Sequence, residues 1–135
     1  MKHTRQKHLS ILALLINLIA MLCINAFAFA NVITELDHDA FQRVASTSLV
    51  VDVRTPDEYA EGHIPGAINI PLATVSDSLD MFGNKNTNIV VYCRSGYRAG
   101  KALEVLANEG FTKLNHLEGD IQAWAEAGLD MEKPG

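Results

Sequence analysis

Fifteen residues, 89–103, limit what this chain can become more than any other stretch: Ile-Val-Val-Tyr-Cys-Arg-Ser-Gly-Tyr-Arg-Ala-Gly-Lys-Ala-Leu. An apolar, β-branched run of Ile89, Val90, Val91 and Tyr92 stops at Cys93. A polar loop follows from Arg94 to Arg98, after which Ala99, Ala102, Leu103 and Leu106 recur at helical spacing. That is strand, tight loop, helix. The loop sits where the carboxyl end of a buried strand meets a helix N-terminus, so backbone N–H groups without intrahelical partners converge above Cys93. Such a cradle holds an anion. Its partial positive charge, with Arg94 and Arg98 beside it, favours a thiolate at Cys93 over a thiol. The expectation is a nucleophilic cysteine carrying a group that is negatively charged once attached. A plainer alternative makes Cys93 a small hydrophobe ending a core strand, as most free cysteines are. Two arginines and a glycine within the next five residues weigh against it.

Loop length narrows the chemistry. In cysteine phosphatases of the Cys-x5-Arg type the loop wraps around a tetrahedral phosphoryl group, whereas here Arg98 closes a loop of six residues, one shorter. A shorter cradle suits a smaller guest, and one sulfur atom on Cys93, a persulfide, fits that description.

The first thirty residues differ in kind from the rest. Lys2, Arg5 and Lys7 precede an apolar run from Leu9 to Ile24, broken only by Ser10 and Asn17, and Ala28-Phe29-Ala30 supplies a small-x-small site. This is the three-part layout of a secretory signal peptide over residues 1–30, with cleavage after Ala30, a domain over residues 31–135 and a periplasmic or secreted location. A membrane enters only if the segment stays uncleaved. Leu22 ahead of Cys23 argues against lipid attachment there. Removal of the segment leaves eight basic residues against sixteen acidic ones, a net charge of −8. That balance argues against nucleic acid as a partner. Cys93 would then stand alone, with no internal disulfide available, and a lone thiol in an oxidising compartment is a hazard unless protected or used.

Along the remaining chain, Val32-Ile33 is a short opening strand, and Asp37 caps a helix presenting Ala40, Phe41 and Val44. Residues 49–53 are a continuous apolar run ended by charge, a strand buried on both faces at the sheet centre. Thr55 as cap, Pro56 at the first helical position, acids in the first turn and Gly62 at the end specify a short helix. A turn over residues 63–67 leads into a short strand closed by Pro71, and Val75, Leu79 and Phe82 recur at helical spacing before Gly83. After the cysteine loop and its helix, residues 113–116 form a last strand and Ile121, Trp124 and Ala125 give a final helix its apolar face. Strands alternating with helices, in runs too apolar for a wet face, predict a three-layer α/β domain with a mostly parallel sheet. Ligands of such sheets lie beyond the carboxyl ends of the strands, where Asp52, Arg54 and residues 93–98 fall.

These residues carry a family resemblance. Val51-Asp52-Val53-Arg54, then Glu58-Tyr59, then Gly62-His63-Ile64-Pro65-Gly66-Ala67-Ile68-Asn69-Ile70-Pro71, then Tyr92-Cys93-Arg94-Ser95-Gly96-Tyr97-Arg98-Ala99, then Leu117-Glu118-Gly119 with Trp124 resemble, in order, the motifs of the rhodanese domain. The resemblance spans residues 32–129. It implies a five-stranded, mostly parallel sheet flanked by helices and a thiosulfate or related sulfurtransferase whose catalytic Cys93 cycles through a persulfide. The donor would be a small sulfane-sulfur compound and the acceptor a thiol or cyanide; no cofactor and no metal are called for, and a protein partner is not specified. Arg94, Ser95, Gly96, Tyr97 and Arg98 would form the substrate-binding loop, with the N–H groups of residues 94–99 stabilising the persulfide anion. Asp52, Arg54 and Ala99 would support it, Asp52 and Arg54 as a partly buried ion pair or turn anchor. For Arg94 and Arg98 the alternative to gripping a donor oxyanion is pairing with Asp52 or Glu58 to brace the loop.

One position departs from the family. A second glycine usually follows Gly119, and here it is Asp120. Asp tolerates the left-handed region and caps helices, so the fold is expected to survive, although a carboxylate near the mouth would repel an anionic donor. His63 reads as a turn brace, Lys101 as a solvated face residue and Trp124 as core, while His38 and His116 lack partners at zinc-ligand spacing. Two other classes remain open: a persulfide carrier or regulatory binding module, and a phosphatase or arsenate reductase on the same fold.

Overall fold

The computed structural model describes residues 5–17 and 33–135. They fall into two units, and residues 5–17 form a helix, α1, in the first. No helix among the described residues is long and apolar enough to cross a membrane. The proposed cleavage site at Ala28-Phe29-Ala30 and Cys23 lie outside the described residues.

The second unit alternates strand and helix: β1 (Ile33–Leu36), α2 (His38–Val44), β2 (Leu49–Asp52), α3 (Pro56–Glu61), β3 (Ile68–Asn69), β4 (Ile89–Tyr92), α4 (Tyr97–Asn108), β5 (Leu114–Leu117) and α5 (Asp120–Glu126). All four strand pairings are parallel, in the order β1-β5-β4-β2-β3. β2 is therefore an interior strand, but β4 holds the centre. All four residues of β4 are buried. Side-chain alternation sends Ile89, Val91 and Cys93 to one face and Val90 and Tyr92 to the other. On the first face Ala99, Ala102, Leu103 and Leu106 of α4 pack with Val51, Phe82 and Phe111. On the second, Phe41 of α2 and Ile121 and Trp124 of α5 pack with Val50 and Leu117. These are the three layers the alternation predicts.

Local chemistry sets the helix starts. The Asp37 carboxylate accepts from the Ala40 N–H at 2.7 Å, capping α2. At α3 the Thr55 hydroxyl accepts from the Glu58 N–H at 3.3 Å while Glu58 Oε2 accepts from the Thr55 N–H at 2.9 Å, a reciprocal box with Pro56 at the first helical position.

Two further expectations need amending. The helix over Val75, Leu79 and Phe82 is instead two 3-10 segments, Leu72–Asp77 and Leu79–Phe82. Thr74, Ser76, Asp77, Ser78 and Asp80 form helices poorly because their side chains compete for backbone groups. The apolar spacing still holds, since Val75 and Phe82 are fully buried. The opening strand runs on to Leu36 because backbone pairing to β5 extends it past Ile33 through Thr34 and Glu35, which are exposed and polar.

Leu103→Ala, which empties the centre of the α4 face, is expected to lower stability by about 2–5 kcal/mol. Urea unfolding of the variant against wild type measures it.

Candidate active site

The parallel register of β2 with β4 puts Asp52 beside Tyr92, so both strands deliver their next residues to the same end of the sheet. Cys93 follows Tyr92 there. It is 1 % exposed and completes the core face under α4, while the chain above it turns through Arg94 and Ser95 to Gly96. Gly96 caps α4 with φ 108°, a conformation that glycine adopts readily. Its N–H points back at the cysteine and donates to Sγ at 3.1 Å. A Cβ on Gly96 would lie 3.1 Å from Asp120 Oδ2 and 3.6 Å from the His116 ring, so glycine is also the residue that fits.

The first turn of α5 holds the loop from behind. Asp120 Oδ1 accepts from the Cys93 N–H at 2.8 Å, the Ile121 N–H donates to the Cys93 carbonyl at 3.1 Å, and the Gln122 N–H donates to the Arg94 carbonyl at 3.2 Å. Asp120 has φ 56°, a left-handed backbone at the position where the resembling family carries glycine. It does not cap α5. That place belongs to Gly119, which makes no side-chain cap bond, and the Asp120 carboxylate turns inward. At 1 % exposure it lies beneath the loop and not at a mouth.

Sequence reasoning missed one participant, His116. Its Nε2 lies 3.1 Å from both Asp120 oxygens and its Nδ1 lies 2.8 Å from Glu35 Oε2. Carboxylates only accept, so both ring nitrogens are placed to donate, as an imidazolium does. The Asp120 hydrogen bond, helped by Glu35, outweighs burial and raises the His116 pKa above its ordinary value. The available signal was Asp120 four residues on, at the site of the family departure; Glu35 is 81 residues away and invisible to local pattern.

The arginines divide their work. Arg54 forks onto Asp52, with Nη2 2.7 Å from Oδ2, and gives a further hydrogen bond to the Gly62 carbonyl at 2.7 Å, all of it buried. Asn69 Nδ2 donates to the Asp52 and Arg54 carbonyls at 2.9 Å each, so the pair anchors the end of β2. Burial pushes the neighbouring Tyr92 phenol well above its usual range, and its hydroxyl accepts from the Ile64 N–H at 3.0 Å. Arg98 reaches across to Glu58, with bonds of 2.7 and 3.0 Å to the two carboxylate oxygens. Arg94 is exposed, with no ion pair among the described residues, and lines a cleft of about 550 Å³ with Arg54, Glu58, Ile121, Gln122 and Glu126. Ser95 and Tyr97 are exposed on the loop, Tyr97 at 75 %, with Lys101 Nζ 5.6 Å from its ring centroid. Ala99 is buried against the sheet. His63 braces its turn: its ring stacks on Tyr59 at 3.7 Å, and its backbone bridges to Glu132.

This geometry can be set beside known proteins. The profile of the rhodanese-like domain matches residues 35–127. The chain belongs to the rhodanese-like domain family. A sulfurtransferase of Allochromatium vinosum is 37 % identical to it over 105 residues, which cover 76 % of this chain and 97 % of that one. The thiosulfate sulfurtransferase PspE of Escherichia coli is 39 % identical over 70 residues, covering 51 % of this chain and 67 % of its own. Among solved structures, a rhodanese-related protein from Thermoplasma volcanium superposes with a TM-score of 0.68 at 27 % identity, covering 75 % of this chain and 99 % of that one. The parallel five-stranded sheet flanked by helices is thus the rhodanese fold, and the relatives of this rhodanese-like domain include sulfurtransferases.

The Arg98 contact gives a pH dependence. Arg98 hydrogen bonding, with Thr55 adding to it against the opposing effect of burial, pulls the Glu58 carboxyl from its ordinary 4.5 to about 2. A carboxyl lowered by folding stabilises the native state above its unfolded value, and that contribution is lost as pH falls through the window from 4.5 to about 2. The thermal midpoint of wild type is expected to fall through that window more steeply than that of Glu58→Gln.

Proposed function

We propose that this chain is a sulfurtransferase that moves a sulfane sulfur from thiosulfate or a related donor to a thiophilic acceptor through a persulfide on Cys93. One observation carries the reading: the only cysteine of the domain ends the central strand with its Sγ facing the Gly96 N–H at 3.1 Å, at the start of α4. The naming of the Escherichia coli relative as a thiosulfate sulfurtransferase supports the donor class.

The reaction runs in two displacements. The Cys93 thiolate attacks the outer sulfur of thiosulfate, the new S–S bond forms, and the old S–S bond breaks with its electron pair leaving on sulfite. The terminal sulfur of the persulfide then bears the negative charge. An acceptor, cyanide in an assay or a thiolate in the cell, attacks that sulfur, takes it, and returns Cys93 as thiolate. Backbone N–H groups at the start of α4 stabilise the persulfide anion without having to reorganise. Burial of Cys93 selects for a donor that can present a single sulfur atom, and the six-residue loop leaves less space than a phosphoryl group fills in the longer phosphatase loop.

Arg94 at the cleft wall offers a forked donor to the sulfonate end of thiosulfate. Arg98 is already engaged by Glu58, so in this reading it braces the loop and adds positive field. Ser95, Gly96 and Tyr97 shape the rim, and Ala99 keeps α4 close against the sheet. Residues 1–30 are read as an export signal that delivers the domain to the periplasm or beyond.

Mass spectrometry of the purified protein before and after thiosulfate tests this directly. Wild type is expected to gain the mass of one sulfur atom, which cyanide removes, while Cys93→Ser gains nothing. Absence of any gain with every sulfane donor tried would refute the proposal. The mass of protein from an exporting host also shows whether residues 1–30 have been removed.

A further inference from the structure

We propose that His116 and Asp120 form a positioning pair for Cys93: Asp120 holds the cysteine backbone from behind, and charged His116 cancels the carboxylate that would otherwise bear on the sulfur. This rests on the sulfur-transfer reading for its biological use, but the effect on the thiol is physically separate.

The geometry places the pair one residue's width from the reacting atom. Gly96 stands between them, its N–H on Cys93 Sγ at 3.1 Å and its absent Cβ position 3.1 Å from Asp120 Oδ2. A buried carboxylate that near opposes a thiolate, and a persulfide anion equally. Its retention needs a compensation, and the imidazole with a nitrogen 3.1 Å from each of its oxygens supplies one. Hydrogen bonding to Asp120 and, on the other nitrogen, to Glu35 of β1 outweighs burial and keeps the ring charged to a higher pH than an isolated histidine. With His116 charged, the three groups sum to one negative charge; when it gives its proton to solvent they sum to two.

The other charged groups around Cys93 do not change near neutrality in the same way. Arg98 and Arg54 remain cationic, Glu58 is held ionised by Arg98, Asp52 is gripped by Arg54, and the Tyr92 phenol stays protonated. Arg94 stands at the cleft. His63 is turned to Tyr59 and Glu132. His116 is thus the titrating group, among the described residues facing this cluster, whose charge varies across the working range of a thiol enzyme.

The consequence is a cysteine that slows, relative to an isolated thiol, once His116 has lost its proton. Alkylation by iodoacetamide, followed on the Cys93 peptide by mass spectrometry, reads this without any sulfur donor. In the full chain, His116→Gln is expected to react about tenfold more slowly than wild type at pH 6, where wild-type His116 is charged. The ratio should fall toward one as pH rises through the His116 titration. Asp120→Asn keeps an acceptor for the Cys93 N–H but removes the charge, so it should react at least as fast as wild type. Glu35→Gln, at an exposed side chain, leaves the pair intact and should move the collapse of the ratio to lower pH. A ratio that stays constant with pH, a midpoint indifferent to Glu35, or a wild-type thiol that iodoacetamide does not reach at any pH overturns the inference. Should the alkylation pattern hold while no donor sulfurates the protein, the positioning pair stands and the sulfur-transfer reading falls.

Discussion

Three hydrogen bonds between the first turn of α5 and the start of the cysteine loop decide where everything at this site points. The Asp120 carboxylate holds the Cys93 N–H, and the Ile121 and Gln122 N–H groups hold the Cys93 and Arg94 carbonyls. A loop between strand and helix is ordinarily among the more mobile parts of a domain. Here both its entry peptides are tied to a helix whose apolar face, Ile121 and Trp124, is itself buried on the sheet. With the entry fixed, the turn at Gly96 has one way to go, and its N–H faces Sγ. The proposed chemistry depends on that fixed direction because preorganised dipoles stabilise charge without a reorganisation penalty.

Two ion pairs carry the same logic sideways. The buried Asp52–Arg54 fork locks the end of β2 and, through Gly62, the exit of α3. The Arg98–Glu58 fork ties α4 to α3. Neither is strong proof of stability, since a buried pair also carries a large desolvation penalty and a half-exposed one is screened. Their use is geometric: they tie the end of β2 to the exit of α3, and α3 to the first turn of α4. They also sort the arginines, leaving Arg94 as the guanidinium at the cleft without an ion pair among the described residues.

Most of what the chain announced locally, it delivered. The strand, loop and helix of residues 89–108, the Asp37 cap and the Thr55–Glu58 box depend on neighbours a few residues apart, and the apolar runs of β2 and β4 specified a parallel sheet buried on both faces. Polar partners at long range were not legible. Arg98 and Glu58 are 40 residues apart, His116 and Glu35 are 81, and the choice between bracing and binding for each arginine is made only when the sheet assembles. Asp120 shows the mixed case. Its identity marked the departure from the family and its tolerance of a left-handed backbone was foreseeable, but the direction of its carboxylate came from Cys93 and His116. The 3-10 segments before β4 failed for a different reason, since apolar spacing reports burial and is silent about how tightly the intervening backbone winds.

The claim underneath all of this is that the loop amides, aimed by α5, hold a sulfur anion on Cys93. A crystal structure of the thiosulfate-treated protein at a resolution that separates sulfur from water tests it most directly. The expected result is one added sulfur bonded to Cys93 Sγ, inside the turn and within hydrogen-bond reach of the N–H groups at the start of α4. An added sulfur that points out of the turn, or a loop that must open and break the Cys93–Asp120 bond to hold it, would contradict the claim.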